Sequence, residues 1–223
     1  MNTYPVTTTT FDFLLSIGSA CRTRHQIERI QKERIKDHKQ PTMFFDWLMS
    51  AGPPGVITVL EHNFELDPKD FSVETMGRPG NHIPLHKPSG YRFLHDLGCT
   101  AETRKTEEAA RDAMEKNMDD FISKFQYIGK RTDDYLRNVD SLGLVYYGKM
   151  IKKSAEKITS ILQKKYNKEF EIIHVMEEGK EAPIDLPNIT PLVVNNSSMR
   201  GKANSWMGSD ESWSKAFEVI KTR

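Results

Sequence analysis

The sequence predicts an α/β fold: a single-domain layered sandwich with a mostly parallel or mixed central sheet flanked by helices. Three observations carry this. In the last third of the chain, short apolar runs bounded by turn residues alternate with amphipathic stretches of helical period. The 223 residues suit one large domain, and no linker cuts them. The only cysteines, Cys21 and Cys99, cannot form the disulfide framework of a small secreted protein. A chain of this size buries roughly 70% of its unfolded surface and needs no such framework.

The elements follow in order. Residues 1–10 are polar and Thr-rich, a loose start before a domain spanning 11–223. Phe11 to Ile17 is short, apolar and bounded by turn residues, so it reads as a buried strand. Gly18-Ser19 breaks it. From Cys21 to about Lys36, Ile27 and Ile30 recur at helical steps. Thr42 to Ala51 is dense in aromatics, and after Pro53-Pro54 a helix is expected over Val56 to Phe64. Asp67 to Gly90 holds several prolines and glycines and reads as loop with short strands. Tyr91 to Asp96 is a short strand-like run. Thr103 to about Ile128 is predicted as one long helix, which Thr132 to Val139 extends or follows as a second. Then come a strand over 142–147, a helix over 149–166, strands over 170–176 and 189–194, and a terminal helix over 210–221. Asp210 is the expected N-cap of that last helix, with Trp213 as its packing anchor.

Charge and hydropathy exclude several functions. Lys and Arg total 32 against 31 Asp and Glu, a formal charge of +1, which does not suit a protein that coats phosphates. Arg22, Arg24, Arg29, Lys32 and Arg34 give the first helix a basic side, but Glu28 and Glu33 interrupt it. A solvated face is therefore expected, not a nucleic-acid surface. The apolar run at 13–17 falls far short of the ~20 residues a membrane span needs. No basic residue precedes it, as a signal peptide would require, and Gly18-Ser19-Ala20-Cys21 makes a poor lipoprotein site. A cytoplasmic, reduced protein without membrane or nucleic-acid partners is expected. There is no Gly-rich phosphate fingerprint and no Gly-x-Ser-x-Gly elbow.

Cys21 draws the chemistry. It stands at a strand-to-helix turn, where the helix dipole and free N–H groups favour a thiolate and can hold an oxyanion. Ser16 and Ser19 are candidate extra donors, and Trp47 a candidate substrate contact. A buried, inert cysteine is the competing reading. A nucleophilic thiol needs a base. His95, following a strand-like run and preceding Asp96, is the first choice among seven histidines. His25, one helical turn after Cys21, is the second. Asp46, flanked by Phe45 and Trp47, and Asp96 are the candidate orienters of the imidazole.

These residues fall in an ordered set: Leu15-Ser16-Ile17-Gly18-Ser19-Ala20-Cys21, then an Ile/Arg-bearing helix, then Phe45-Asp46-Trp47-Leu48, then His95-Asp96. The set resembles a bacterial domain-of-unknown-function family described as papain-like cysteine peptidases. The resemblance is clearest over residues 13–98. It implies a thiol hydrolase with Cys21 as nucleophile and His95 as base, acting on a peptide, amide or ester substrate without a cofactor. Ala20 departs from it, since members often carry Asn before the cysteine.

Two alternatives stand beside this reading. The first is a non-catalytic α/β binding module, its pocket shaped by the 67–99 region and the Trp206–Trp213 segment. The second is a zinc protein, because His82 and His86, like His95 and Cys99, are separated by three residues and offer four N/S ligands.

Overall fold

The computed structural model describes residues 9–18, 20–35, 39, 41–49, 52–77, 80–199, 201–202 and 204–222. Two strands, β1 (Thr9–Phe11) and β2 (Phe13–Ser16), lead into helix α1 (Cys21–Arg34). An aromatic turn at 43–47 precedes α2 (Pro53–Glu61), which opens on two prolines, residues that are tolerated in a first helical turn. Strands β3 (Phe71–Thr75), β4 (His82–His86) and β5 (Tyr91–Arg92) follow. Next come α3 (Glu107–Lys116), α4 (Met118–Asn138), β6 (Leu142–Tyr147), α5 (Lys152–Tyr166), β7 (Glu171–Glu177), β8 (Ile189–Val194), α6 (Asp210–Ala216) and β9 (Ile220–Thr222).

The central sheet is parallel, in the order β2-β6-β7-β8. Side chains of a strand alternate between faces, and this alternation sorts the core into two layers. Leu15, Leu144 and Ile172 pack on one face with residues of α2, α4 and α5 and of the antiparallel β3-β4-β5 sheet. Leu14, Val145 and Ile173 pack on the other with Ile27 and Ile30 of α1 and Trp213 and Phe217 of the terminal segment. The result is a mixed α/β layered sandwich, as the sequence predicts. A separate parallel pair, β1 with β9, joins the first and last described strands.

Four local expectations are corrected. The long helix expected from Thr103 begins as a 3₁₀ turn at Thr103–Lys105 and divides at Asn117 into α3 and α4. The terminal helix expected over 210–221 ends at Ala216, and the chain passes through a 3₁₀ turn at Phe217–Val219 into β9, whereas 132–138 continues α4, one of the two readings the sequence allows. The cap of α6 is Ser209, whose hydroxyl accepts from Ser212 N–H; Asp210 is the first helical residue. The basic side of α1 is a solvated face only in part: Lys32 and Arg34 are exposed, but the arginines are engaged. Arg24 is buried, Arg34 donates to the carbonyls of Phe217 and Ile220, and Arg29 reaches Gln26, Glu33 and Ser214. These arginines stitch α1 to the aromatic turn and the C-terminal segment.

Candidate functional site

The site lies beyond the carboxyl ends of the parallel strands, where ligands of open α/β sheets bind. Strand β2 ends at Ser16, and Gly18 turns the chain with φ 107°, a value glycine adopts without penalty. The Gly18 carbonyl accepts from Thr23 Oγ1 at 3.2 Å and from Tyr147 N–H at 3.3 Å, which ties the turn to α1 and β6. Helix α1 then opens on Cys21. Its cap, Ala20, contributes no side-chain bond, and the first turn carries no acidic residue. The positive end of the helix therefore has no carboxylate beside it in that turn.

The aromatic turn supplies the second wall. Asp46 Oδ2 accepts from Met43 N–H at 2.9 Å and pairs with Arg24 at 2.9 Å, while Phe44 N–H donates to Thr132 Oγ1 at 2.8 Å. These anchors hold Trp47 at φ 63°, a left-handed conformation uncommon for a bulky residue. The cost is of order 1–3 kcal/mol and persists only where surrounding contacts impose it. The outcome is a carbonyl aimed at the thiol: Cys21 Sγ donates to Trp47 O at 3.3 Å.

His95 comes from the turn after β5, rooted by the buried Phe93 and Leu97. Its Nε2 lies 3.8 Å from Cys21 Sγ, and its ring meets Trp47 edge-on at 6.3 Å. Thus two residues 74 positions apart share one cleft. The cleft has a volume of about 420 Å³, and Trp47, Met49, Leu94, Tyr147 and Trp206 give it mostly apolar walls around Cys21 and His95.

Beneath it, Arg22 donates to Tyr147 OH, to Ser205 O at 2.8 Å and to Trp206 O at 2.8 Å. Tyr147 in turn donates to Glu177. Burial and the Glu177 carboxylate push the Tyr147 phenol up to about 12. Burial opposes ionisation of Glu177, but hydrogen bonds from Lys180, Tyr147 and Asn196 outweigh it and bring this carboxyl down to about 2.

The electrostatics of Cys21 differ from expectation. A helix N-terminus was expected to lower the thiol pKa. Instead burial raises it, and the opposing bond from the thiol's own backbone N–H does not compensate. Burial thus favours the neutral thiol, which lies against the Trp47 carbonyl.

The other expected residues are distributed as follows. Ser16 is fully buried, its hydroxyl taken by Gly18 N–H at 3.4 Å, and it does not line the cleft. Ser19 lies outside the described residues. Asp46 does not orient His95: its carboxylate turns inward to Arg24, where burial raises it to about 6 against the pull of that guanidinium. Asp96 also turns away, to pair with Lys124. Among the described residues no carboxylate or amide bonds the second ring nitrogen of His95, so Cys21 and His95 meet without a third residue orienting the ring. His25 packs on the edge of Trp206 at 5.5 Å and leaves the thiol to His95.

The alternative ligand set is dispersed. His82 bonds Thr75 Oγ1 at 3.2 Å and His86 bonds Ser89 Oγ at 2.8 Å, while His95 faces Cys21. Among the described residues no group of three or more His, Cys, Asp or Glu is placed to hold a metal ion. Of the Trp206–Trp213 segment, Trp206 lines the cleft and Trp213 is wholly core.

Met49, Leu94, Arg22 and Tyr147 are the site residues the sequence did not single out as such. Tyr147 carries the clearest available signal, as the last residue of a central strand in a parallel sheet. Comparison with protein-family models, curated proteins and solved structures gives no match. The described helices include none long and apolar enough to cross a membrane.

Proposed function

We propose that this protein is a cysteine-dependent hydrolase or acyl transferase of the papain-like kind that its Gly-x-x-Cys turn, Phe-Asp-Trp block and His-Asp pair resemble. The observation that carries the reading is the 3.8 Å approach of Cys21 Sγ to His95 Nε2 inside a cleft at the start of α1. On this reading the thiol is activated only as substrate arrives. His95 takes the thiol proton as Sγ adds to the substrate carbonyl carbon. The oxyanion forms against backbone N–H groups at the start of α1. Collapse breaks the bond to the leaving amine or alcohol, which receives its proton from His95. Water, deprotonated by the same imidazole, then attacks the thioester and releases the carboxylic acid and the free thiol.

The test is ester and amide turnover by the intact protein. Cys21→Ala is expected to abolish it, and His95→Ala to lower kcat/KM by about 10²-fold or more. Turnover that survives either change to within a factor of three ends the reading. A second reading, a non-catalytic binding module, is favoured by the burial that holds the thiol neutral. It gains the ground if the cleft binds ligands while Cys21 turns over none.

A further inference from the structure

We infer that the cleft selects substrates whose acyl side is a large uncharged apolar group, aromatic or branched aliphatic, seated against Trp47 and Trp206. The inference deepens the thiol reading, on which its chemistry rests. Its binding claim stands on the cleft itself.

The first argument is charge. Arg22 is the one lysine or arginine among the described residues that line the cleft. Its guanidinium is consumed by Ser205 O, Trp206 O and Tyr147 OH, with Glu177 3.4 Å away. Tyr147 OH is likewise spent on Glu177. A carboxylate or phosphate on the acyl group would have to leave water without meeting an unpaired cation, which is costly. An uncharged apolar group meets Trp47, Met49, Leu94 and the ring of Tyr147 and gains from burial.

The second argument is Trp206. This indole remains 42% exposed, yet it does not lie on loose chain. Arg22, the residue directly after Cys21, donates to the carbonyls of Trp206 and Ser205, and His25 packs on the Trp206 ring. A large apolar surface fixed in the open beside a thiol is a wall that lacks its occupant. Arg22 is thus a positioning residue, holding that wall in register with Cys21. The third argument is size. About 420 Å³ is near the low end of small-ligand sites, which run from about 300 to 1,000 Å³. It has room for a large aromatic or branched aliphatic group.

The experiment compares p-nitrophenyl phenylacetate, p-nitrophenyl acetate and mono-p-nitrophenyl succinate. The phenylacetyl ester is expected to exceed the acetyl ester in kcat/KM by about 10-fold or more, the worth of seating one ring. Trp206→Ala is expected to bring that ratio towards one, and Trp206→Phe to keep most of it. A preference for acetyl or succinyl, or an unchanged ratio in Trp206→Ala, overturns the inference. A second arm is independent of catalysis: Cys21→Ser protein titrated with phenylacetamide and with acetamide, followed by tryptophan fluorescence. Equal affinity for the two overturns the inference whatever the esters do. Selective binding of phenylacetamide with no ester turnover by the unsubstituted protein upholds the pocket and fails the thiol reading instead.

Discussion

Arg24→Met should destabilise the protein strongly, and in a way that depends on pH. Both partners of the Arg24–Asp46 pair are out of water, with side chains 4% and 0% exposed and 2.9 Å between them. At that distance the attraction is about 6 kcal/mol for an effective dielectric of about 20. Burial nevertheless raises Asp46 to about 6, so removing the carboxylate from water costs more than Arg24 returns. Asp46 Oδ1, moreover, has no partner among the described residues. The pair is therefore nearly neutral as a whole, and costly to break singly. Removing the guanidinium leaves a buried lone carboxylate, for which the expected loss is about 3–5 kcal/mol at neutral pH. For a chain of this length that is roughly 6–20 °C in Tm.

The sign with pH follows from the raised carboxyl. Its folded form holds a proton that the unfolded form has already released. The stability it contributes is therefore full below the ordinary carboxylate range and falls as pH rises to about 6. Without Arg24 the carboxyl rises further, so the fall continues beyond pH 6. Urea unfolding of Arg24→Met at pH 5, 6, 7 and 8 measures this, alongside the double variant Arg24→Met/Asp46→Leu. The double variant should regain most of the loss and lose the steep dependence above pH 6. A single variant within 1 kcal/mol of the parent (an exposed pair's worth), or a double variant no better than the single, refutes the reasoning.

Other outcomes follow from the same geometry. Alkylation of Cys21 by iodoacetamide should still be accelerating above the ordinary thiol range, because burial raises this thiol; a plateau near neutral pH would show a preformed thiolate instead. Thr132→Val should cost about 1–3 kcal/mol in urea unfolding, since it leaves the buried Phe44 N–H without its acceptor. On the proposed reading it should also slow ester turnover, by loosening the turn that carries Trp47. Gly55→Ala should destabilise measurably, because the new methyl carbon would stand 2.5 Å from the Ser89 carbonyl, a backbone atom; an unchanged Tm would show that the 86–91 turn yields freely. Glu177→Gln should reduce the fall in stability on acidification. The lowered carboxyl contributes stability above the ordinary range, and loses it as pH falls towards about 2.

The layered fold was legible because its strands and helices announce themselves by period. Residues 142–147 and 189–194 are strands with the expected bounds, and α1 starts at Cys21. The division at Asn117 was hidden, because Met114, Met118 and Phe121 keep the helical spacing across it. The pairing of β3 with β4 was hidden for another reason: prolines and glycines mark a loop but not what its flanks bind.

At the site, residue chemistry pointed to Cys21 and His95, and the fold brings them together. Chemistry misassigned Asp46, since the sequence shows a carboxylate among aromatics but not the buried arginine that claims it. The thiol was misjudged likewise. A helix start is visible in sequence, whereas the burial that raises the thiol is a property of the assembled cleft.

The parentage of the cleft walls has a consequence for how the protein matures. Cys21, Trp47, His95, Tyr147 and Trp206 are spread over nearly the whole chain, and β2 finds its sheet partner only in β6. Contacts of such long sequence separation form slowly and late. A nascent chain that has emerged only as far as α4 carries the cysteine without Tyr147 or the Trp206 wall. On the proposed reading, turnover would then begin only with the closing of the topology, when His95, Tyr147 and Trp206 have gathered around the thiol.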